Sequence, residues 1–224
     1  KSPSFAISGD VSKSYRASFA HVKNMLPGIF LPADEIELDP VSLQYVDRQF
    51  DIIDLEKCRA DIFSELYEAF AGAGVKSSEG QFFTPTVAVD LLVSLVNPKP
   101  NQSICDPACG AGGFLIAAAK YLVGAGANPT DVAASLRGVD KDAYLTRIAR
   151  GRLALYLDEM PEVICGDSLA DISQDGISIE DKLFDVVLTN PPFGAKIVAA
   201  SANTLMRYDL ARKWIKTDGA KEAF

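Results

Sequence analysis

Much of what common functional classes require is missing from this chain. Its 224 residues include one histidine, His21, and four cysteines, Cys58, Cys105, Cys109 and Cys165, none in a C-x-x-C pair. Zinc sites draw on clustered cysteine and histidine, so no metal site is expected and a catalytic histidine is close to excluded. The cysteines read as reduced, small apolar residues. Basic residues are also in short supply: 22 Lys and Arg stand against 30 Asp and Glu, for a net charge of −8. A grip on nucleic acid needs Lys and Arg at the phosphates, so any such role calls for a locally basic face or a basic partner. No run approaches the roughly 18 apolar residues of a membrane helix, and "KSPSFAISGD" at the start is not a signal peptide. The expectation is a soluble, cytoplasmic protein. Lys1 in place of Met reads as the start of a processed or excised piece.

What is present suits a folded domain. The apolar share is 48% and the length allows one good-sized domain, or one with an appendage. Residues 1 to about 55 are rich in Ser, Pro and Asp with short periodic pieces, of which 39–50 forms a candidate helix. A clearer helix is expected over 56–71, where Cys58, Ile62, Leu66, Ala69 and Phe70 share one stripe. "GAGVKSSEG" (72–80) reads as a loop, and the domain boundary is set there, with a mainly helical segment over 1–78 and a second domain over 79–224.

From Gln81 the rhythm changes to alternating helix and strand. Thr84-Pro85 predicts an N-cap followed by proline at the first helical position, opening a helix to Val96. Its core face is expected from Val87, Leu91 and Leu95 beside Ala88, Leu92 and Val96. Strands are predicted at 102–106, 136–140, 162–167 and 183–188. Helices follow the first two, at 114–123 and on a face made by Leu145, Ile148, Ala149, Leu153, Tyr156 and Leu157. Apolar strands separated by helices imply a parallel α/β sheet covered on both faces. The chain ends about thirty residues after the fourth strand. That leaves a sheet edge to cover, and the expectation is a piece of a longer polypeptide.

The strand ends carry the chemistry. "DPACGAGGF" (106–114) joins a strand to a helix, where open parallel sheets bind ligands. It lacks the Lys-Ser/Thr of a phosphate loop and the third glycine of a dinucleotide fingerprint. It begins with Asp106, a carboxylate suited to a cationic or amine-bearing ligand. The second strand ends in Asp140, able to accept ribose hydroxyls, and the third in Asp167, able to accept from an adenine amino group. Acidic residues at single strand ends are common turn formers. Three in succession beside a glycine loop describe a pocket for a nucleoside bearing a cationic amino-acid tail, and S-adenosylmethionine is such a ligand.

The fourth strand runs into "NPPF" (190–193). Two prolines fix φ and remove two donors, leaving their carbonyls as acceptors. The Asn190 side-chain oxygen and the Pro191 carbonyl can converge on one NH₂ group and draw it toward tetrahedral geometry, freeing its lone pair. Phe193 offers a face for a flipped base, a contact worth about 1–3 kcal/mol. Methyl transfer from a sulfonium needs alignment more than a general base, which fits the scarcity of histidine.

"GQFFTP" (80–85), "DPACGAGGF" (106–114), "GVDKD" (138–142), "GDSL" (166–169) and "NPPFG" (190–194), in that order, resemble a DNA adenine-N6 methyltransferase. Within that group they are most similar to the modification subunit of type I restriction–modification systems, over about residues 35–216. The resemblance implies a Rossmann-like S-adenosylmethionine-dependent methyltransferase sheet, truncated after the fourth strand, with a small helical N-terminal segment. It further implies a cofactor site made by Gln81, Phe82, Phe83, Thr84, Pro85, Asp106, Pro107, Ala108, Gly110, Gly112, Gly113, Phe114, Asp140, Asp167, Ser168 and Leu169. Asn190, Pro191, Pro192 and Phe193 would hold the target adenine. The implied partners are DNA, a specificity subunit that reads it, and a restriction subunit. Two departures stand out. The helical N-terminal domain is reduced to a remnant, and the strands and C-terminal helices expected after "NPPF" are missing, so the piece itself is expected to methylate nothing. A glutamine-amide or RNA methyltransferase using the same acceptor pair, and a non-catalytic scaffold of the same fold, are the alternatives.

Overall fold

A computed structural model of the chain describes residues 10–50, 84–169, 184–192, 197–198, 206 and 222–223. Two compact units divide it, Lys1–Ala69 and Phe70–Phe224. The helix expected over 56–71 and the boundary expected at 78/79 lie outside the described residues.

The first unit holds α1 (Val11–Met25) and α2 (Pro40–Phe50). The second helix is the one expected over 39–50. The first was not expected, because its sequence has no continuous apolar stripe and only Ser12 is buried. Local hydrogen bonds and others to residues further along the chain hold it. Asp10 caps its start by accepting from the Ser12 N–H at 3.1 Å. Tyr15 donates to Asp47 at 2.9 Å, and Arg16 donates to the Leu38 carbonyl at 3.0 Å. The rings of Phe19 and Phe30 meet edge to face.

The second unit runs α3 (Thr86–Val96), β1 (Ile104–Asp106), α4 (Gly113–Gly124), α5 (Pro129–Ser135), β2 (Leu136–Asp140), α6 (Ala143–Leu157), β3 (Glu162–Cys165) and β4 (Val186–Val187). A short antiparallel pair, β5 (Ile197–Val198) with β6 (Glu222–Ala223), follows. The four main strands make one sheet in the order β3-β2-β1-β4, every neighbouring pair parallel. That is the expected parallel α/β architecture, with β2 and β1 the inner strands and β1 wholly buried. The Asp185 carboxylate clamps the start of β4 to that of β1 by accepting from the Ser103 N–H and hydroxyl, at 2.8 and 2.9 Å. The short α5 was not predicted. Asn128 caps it and Pro129 stands at its first position.

One expectation about packing is corrected. Helix α3 buries Val89 and Val93, while Val87, Leu91 and Leu95 are exposed. Its sequence, TVAVDLLVSLV, is apolar on most sides, so periodicity could not choose among its faces. Helix α6 is closer to expectation: Leu145, Ala149, Leu153 and Leu157 are buried, and Ile148 and Tyr156 half-buried. Register and the two-residue alternation put Ile104, Leu136, Gly138, Val163 and Val186 on one face of the sheet. That face meets the helices, since a Cβ built on Gly138 would stand 2.8 Å from Leu115 Cδ1 of α4. Among the described residues the other face carries the Arg137–Glu162 ion pair and the exposed Val187. The helices of the described residues pack on the first face, and Cys105 and Val139 on the other are buried as well. No helix of the described residues is long and apolar enough to cross a membrane.

Candidate active site

Parallel strands place all their C-terminal ends along one edge, and the strand order arranges those ends in a row. Asp167 follows β3, Asp140 ends β2, Asp106 ends β1 and Asn190 follows β4. The chain switches direction across the sheet between β1 and β4, the place where open α/β sheets form a ligand crevice. Sequence reading named these four positions; only the strand order makes Asn190 the neighbour of Asp106 rather than of Asp167.

Asp106 is 1% exposed. Burial pushes its carboxyl up from the ordinary 3.8 to about 6. The Thr189 hydroxyl and the Ala108 N–H oppose the rise, and repulsion from Asp140 adds a smaller push. The Ala108 N–H bond to Oδ1 is 3.1 Å, an aspartate turn made by the Asp-Pro-Ala step. Thr189 Oγ1 is itself buried and meets no partner at good hydrogen-bond geometry, although it lies near enough to act on Asp106. A buried carboxyl and an unspent hydroxyl side by side suit a cationic amino group better than a phosphate.

The glycine loop is pinned from three sides. The Cys109 N–H donates to the Val139 carbonyl at 2.9 Å, and the Arg152 guanidinium donates to the Ala111 carbonyl at 2.7 Å. Asp140 Oδ2 accepts from the Gly110 N–H at 2.8 Å, and its Oδ1 from the Asp142 N–H at 2.9 Å. Asp140 therefore shapes the loop as well as ending the strand. Gly110 has φ +50°, with open space where a Cβ would stand. A Cβ on Gly112 (φ +81°) would stand 3.1 Å from the Ala149 Cβ, so its lack of a side chain serves helix packing. Pro107 and Ala108 are half-buried, Gly113 is exposed, and Phe114 is buried in the core.

Asp167 carries a feature that sequence reading missed. Its Oδ2 pairs with Lys141 Nζ at 2.8 Å, while its Oδ1 accepts from the Leu169 N–H at 3.0 Å. Lys141 directly follows Asp140, and that adjacency was the only available signal. Ser168 and Leu169 are half-buried beside it. At the other end of the row, Asn190 is half-buried and Pro191 and Pro192 are exposed. Asn190 Nδ2 donates to Thr84 Oγ1 at 2.9 Å. Thr84, expected to be the N-cap of α3, is not: Pro85 takes that position, its carbonyl accepting from the Ala88 and Val89 N–H groups. Gln81, Phe82, Phe83 and Phe193 lie outside the described residues.

The sequence profile of the N-6 DNA methylases matches residues 58–221. The chain belongs to the N-6 DNA methylase family. Among relatives of this N-6 DNA methylase is the type I restriction enzyme MjaIX methylase subunit of Methanocaldococcus jannaschii, 30% identical over 177 residues, or 77% of this chain and 30% of that protein. The EcoEI methylase subunit of Escherichia coli is 31% identical over 138 residues, covering 60% of this chain and 27% of its own length. The type II methyltransferase M.VspI of a Vibrio species is 33% identical over 148 residues, 63% of this chain and 32% of the relative. The chain thus spans about a third of the length of these relatives. In fold it is similar to a chain of a type I restriction–modification assembly, with a TM-score of 0.60 at 22% identity, covering 84% of this chain and 39% of that one. It is also similar to a putative class I S-adenosylmethionine-dependent methyltransferase of Listeria monocytogenes, with a TM-score of 0.57 at 20% identity, covering 91% and 57%.

Proposed function

We propose that this chain is the cofactor- and target-binding core of a modification subunit of a type I restriction–modification system. The activity would be methylation of the N6 amino group of adenine in DNA, with S-adenosylmethionine as donor. One observation carries the reading: Asn190-Pro191 stands at the end of β4 beside β1, whose own end is the buried Asp106. That adjacency sets a pair of carbonyl acceptors next to a carboxyl suited to a cation.

The residues fit the donor. Asp106, with a carboxyl raised by burial, gains most from an ammonium group that restores its charge. Gly110 offers backbone approach with open space beside it. Asp140 is assigned to the ribose and Asp167 to the adenine. Gln81, Phe82, Phe83, Thr84, Pro85, Pro107, Ala108, Gly112, Gly113, Phe114, Ser168 and Leu169 complete the assigned surroundings. When bound, S-adenosylmethionine supplies an electrophilic methyl group on a sulfonium leaving group. The Asn190 side-chain oxygen and the Pro191 carbonyl accept from the target NH₂, drawing its lone pair out of conjugation. Pro192 holds the backbone of that step rigid, and Phe193 is assigned to the flipped base.

The net charge of −8 supports a division of labour in which a specificity subunit supplies much of the grip on DNA, with a restriction subunit as a further partner, in the cytoplasm. The test is transfer of label from methyl-labelled S-adenosylmethionine by the full-length protein with its partner, offered DNA, RNA and protein together. Label is expected in 6-methyladenine from DNA. Label confined to RNA or to protein amide nitrogen would overturn the substrate assignment.

A further inference from the structure

A carboxamide has a donor end and an acceptor end of nearly the same shape, and only one of them helps here. Holding an amine as an acceptor requires Oδ1 to face it; an amide turned over would set NH₂ against NH₂. In this chain the donor end is committed. Asn190 Nδ2 donates to Thr84 Oγ1 at 2.9 Å, a bond between residues 106 positions apart in the sequence. Among the described residues Asn190 Oδ1 makes no hydrogen bond.

Thr84 is free to do this because it does not cap α3. A threonine just before a helix ordinarily accepts from a first-turn N–H. Here Pro85 occupies the cap, and its carbonyl takes the Ala88 and Val89 N–H groups at 2.9 and 3.1 Å. Pro85 also fixes its own φ at −54°, so the chain enters the helix at a set angle and presents the half-buried Thr84 to β4. Asn190 needs such support. It lies beyond the last paired residue of β4, where the two exposed prolines that follow carry no N–H with which to anchor the turn.

We infer that Thr84 is a positioning residue for the target amine, its hydroxyl holding the Asn190 carboxamide with Oδ1 as the uncommitted acceptor. The inference rests on the methyl-transfer reading above and moves Thr84 from the cofactor's methionine end to the target side. A hydroxyl lost from this pair leaves Nδ2 unsatisfied and the amide free to turn, so the effect falls on the rate at saturating cofactor, not on cofactor affinity.

The experiment uses the full-length protein with its partner subunit on unmethylated DNA. It compares wild type, Thr84→Val (same shape, no hydroxyl) and Thr84→Ser (hydroxyl kept). Single-turnover methylation is measured at saturating S-adenosylmethionine, and cofactor affinity by calorimetry. T84V is expected to slow methyl transfer by about 10- to 100-fold, with the cofactor Kd within about threefold of wild type. T84S is expected to recover to within about fivefold of wild type. A T84V rate equal to wild type overturns the inference. So does a T84V defect confined to cofactor Kd, which returns Thr84 to the cofactor site. A T84S variant as slow as T84V, or a T84V protein that no longer folds, assigns the residue to packing. Wild-type protein that methylates no DNA adenine would instead sink the underlying reading, a result visible before any variant is made.

Discussion

Replacing Asp106 by asparagine should make the protein more stable and less functional, with a pH signature that separates the two. Asp106 is 1% exposed, and burial raises its carboxyl from 3.8 to about 6. Each pH unit of displacement is worth about 1.4 kcal/mol, so holding the charged form above pH 6 costs about 3 kcal/mol relative to the unfolded chain. The sign follows from proton binding. Between 3.8 and about 6 the folded state holds the proton that the unfolded state has released, so this group's contribution to stability falls as pH rises through that window and is flat above it. Asparagine keeps an oxygen for the Ala108 N–H and carries no charge. Allowing about 1 kcal/mol for imperfect satisfaction of its NH₂, Asp106→Asn should gain about 1–3 kcal/mol near neutral pH and almost nothing below 3.8. For a folding unit of about 150–250 residues, each kcal/mol raises the melting midpoint by about 2–4 °C. Thermal melts of wild type and variant across the acid range would read the difference directly. A variant that melts at or below wild type near neutral pH, or a difference that does not shrink on acidification, would refute the reasoning. Cofactor binding should move the other way, because the variant has no carboxylate for an ammonium group.

Other consequences can be tested separately. Asp140→Ala removes the acceptor for both the Gly110 and the Asp142 N–H groups. It should raise the cofactor Kd about 10- to 100-fold by calorimetry, and unchanged binding would remove Asp140 from the site. Gly138→Ala would put a Cβ 2.8 Å from Leu115 Cδ1 and 3.1 Å from Cys109 Sγ. A loss of about 1–3 kcal/mol in chemical denaturation is expected, and a neutral result would mean that the α4–sheet contact yields easily. Among the described cysteines, iodoacetamide should label the exposed Cys165 first near neutral pH. Burial raises the Cys105 thiol to about 11 and the Cys109 thiol further still, with Asp106 adding to both. Rapid modification of either, read by mass spectrometry of peptides, would contradict their burial.

How much of this was legible beforehand depends on the range of the interaction involved. Strands β1 to β3, helices α2, α4 and α6 and the glycine turn were readable because a short apolar run, a cap residue or a glycine acts on its immediate neighbours. The candidate acids Asp106, Asp140 and Asp167 were readable for the same reason, since each ends a recognisable strand. Helix α1 was not, because it lacks a sustained apolar stripe and is held by an aspartate cap and by bonds such as Tyr15–Asp47. The buried face of α3 was not, because a helix apolar on most sides carries no preference until something packs against it.

By itself, then, the sequence determined the alternation of strands and helices, the residues at the strand ends, and the rigid Asn-Pro-Pro step. Those follow from side-chain volume, backbone freedom and short-range hydrogen bonding. The tertiary structure alone decided the strand order that sets Asn190 beside Asp106, the pairing of Lys141 with Asp167, and the bond from Asn190 to Thr84. It also decided the burial that lifts the Asp106 carboxyl to about 6. Each of these depends on which groups the fold brings close together, and distance along the chain holds no information about that: Thr84 and Asn190 lie 106 residues apart and meet at 2.9 Å.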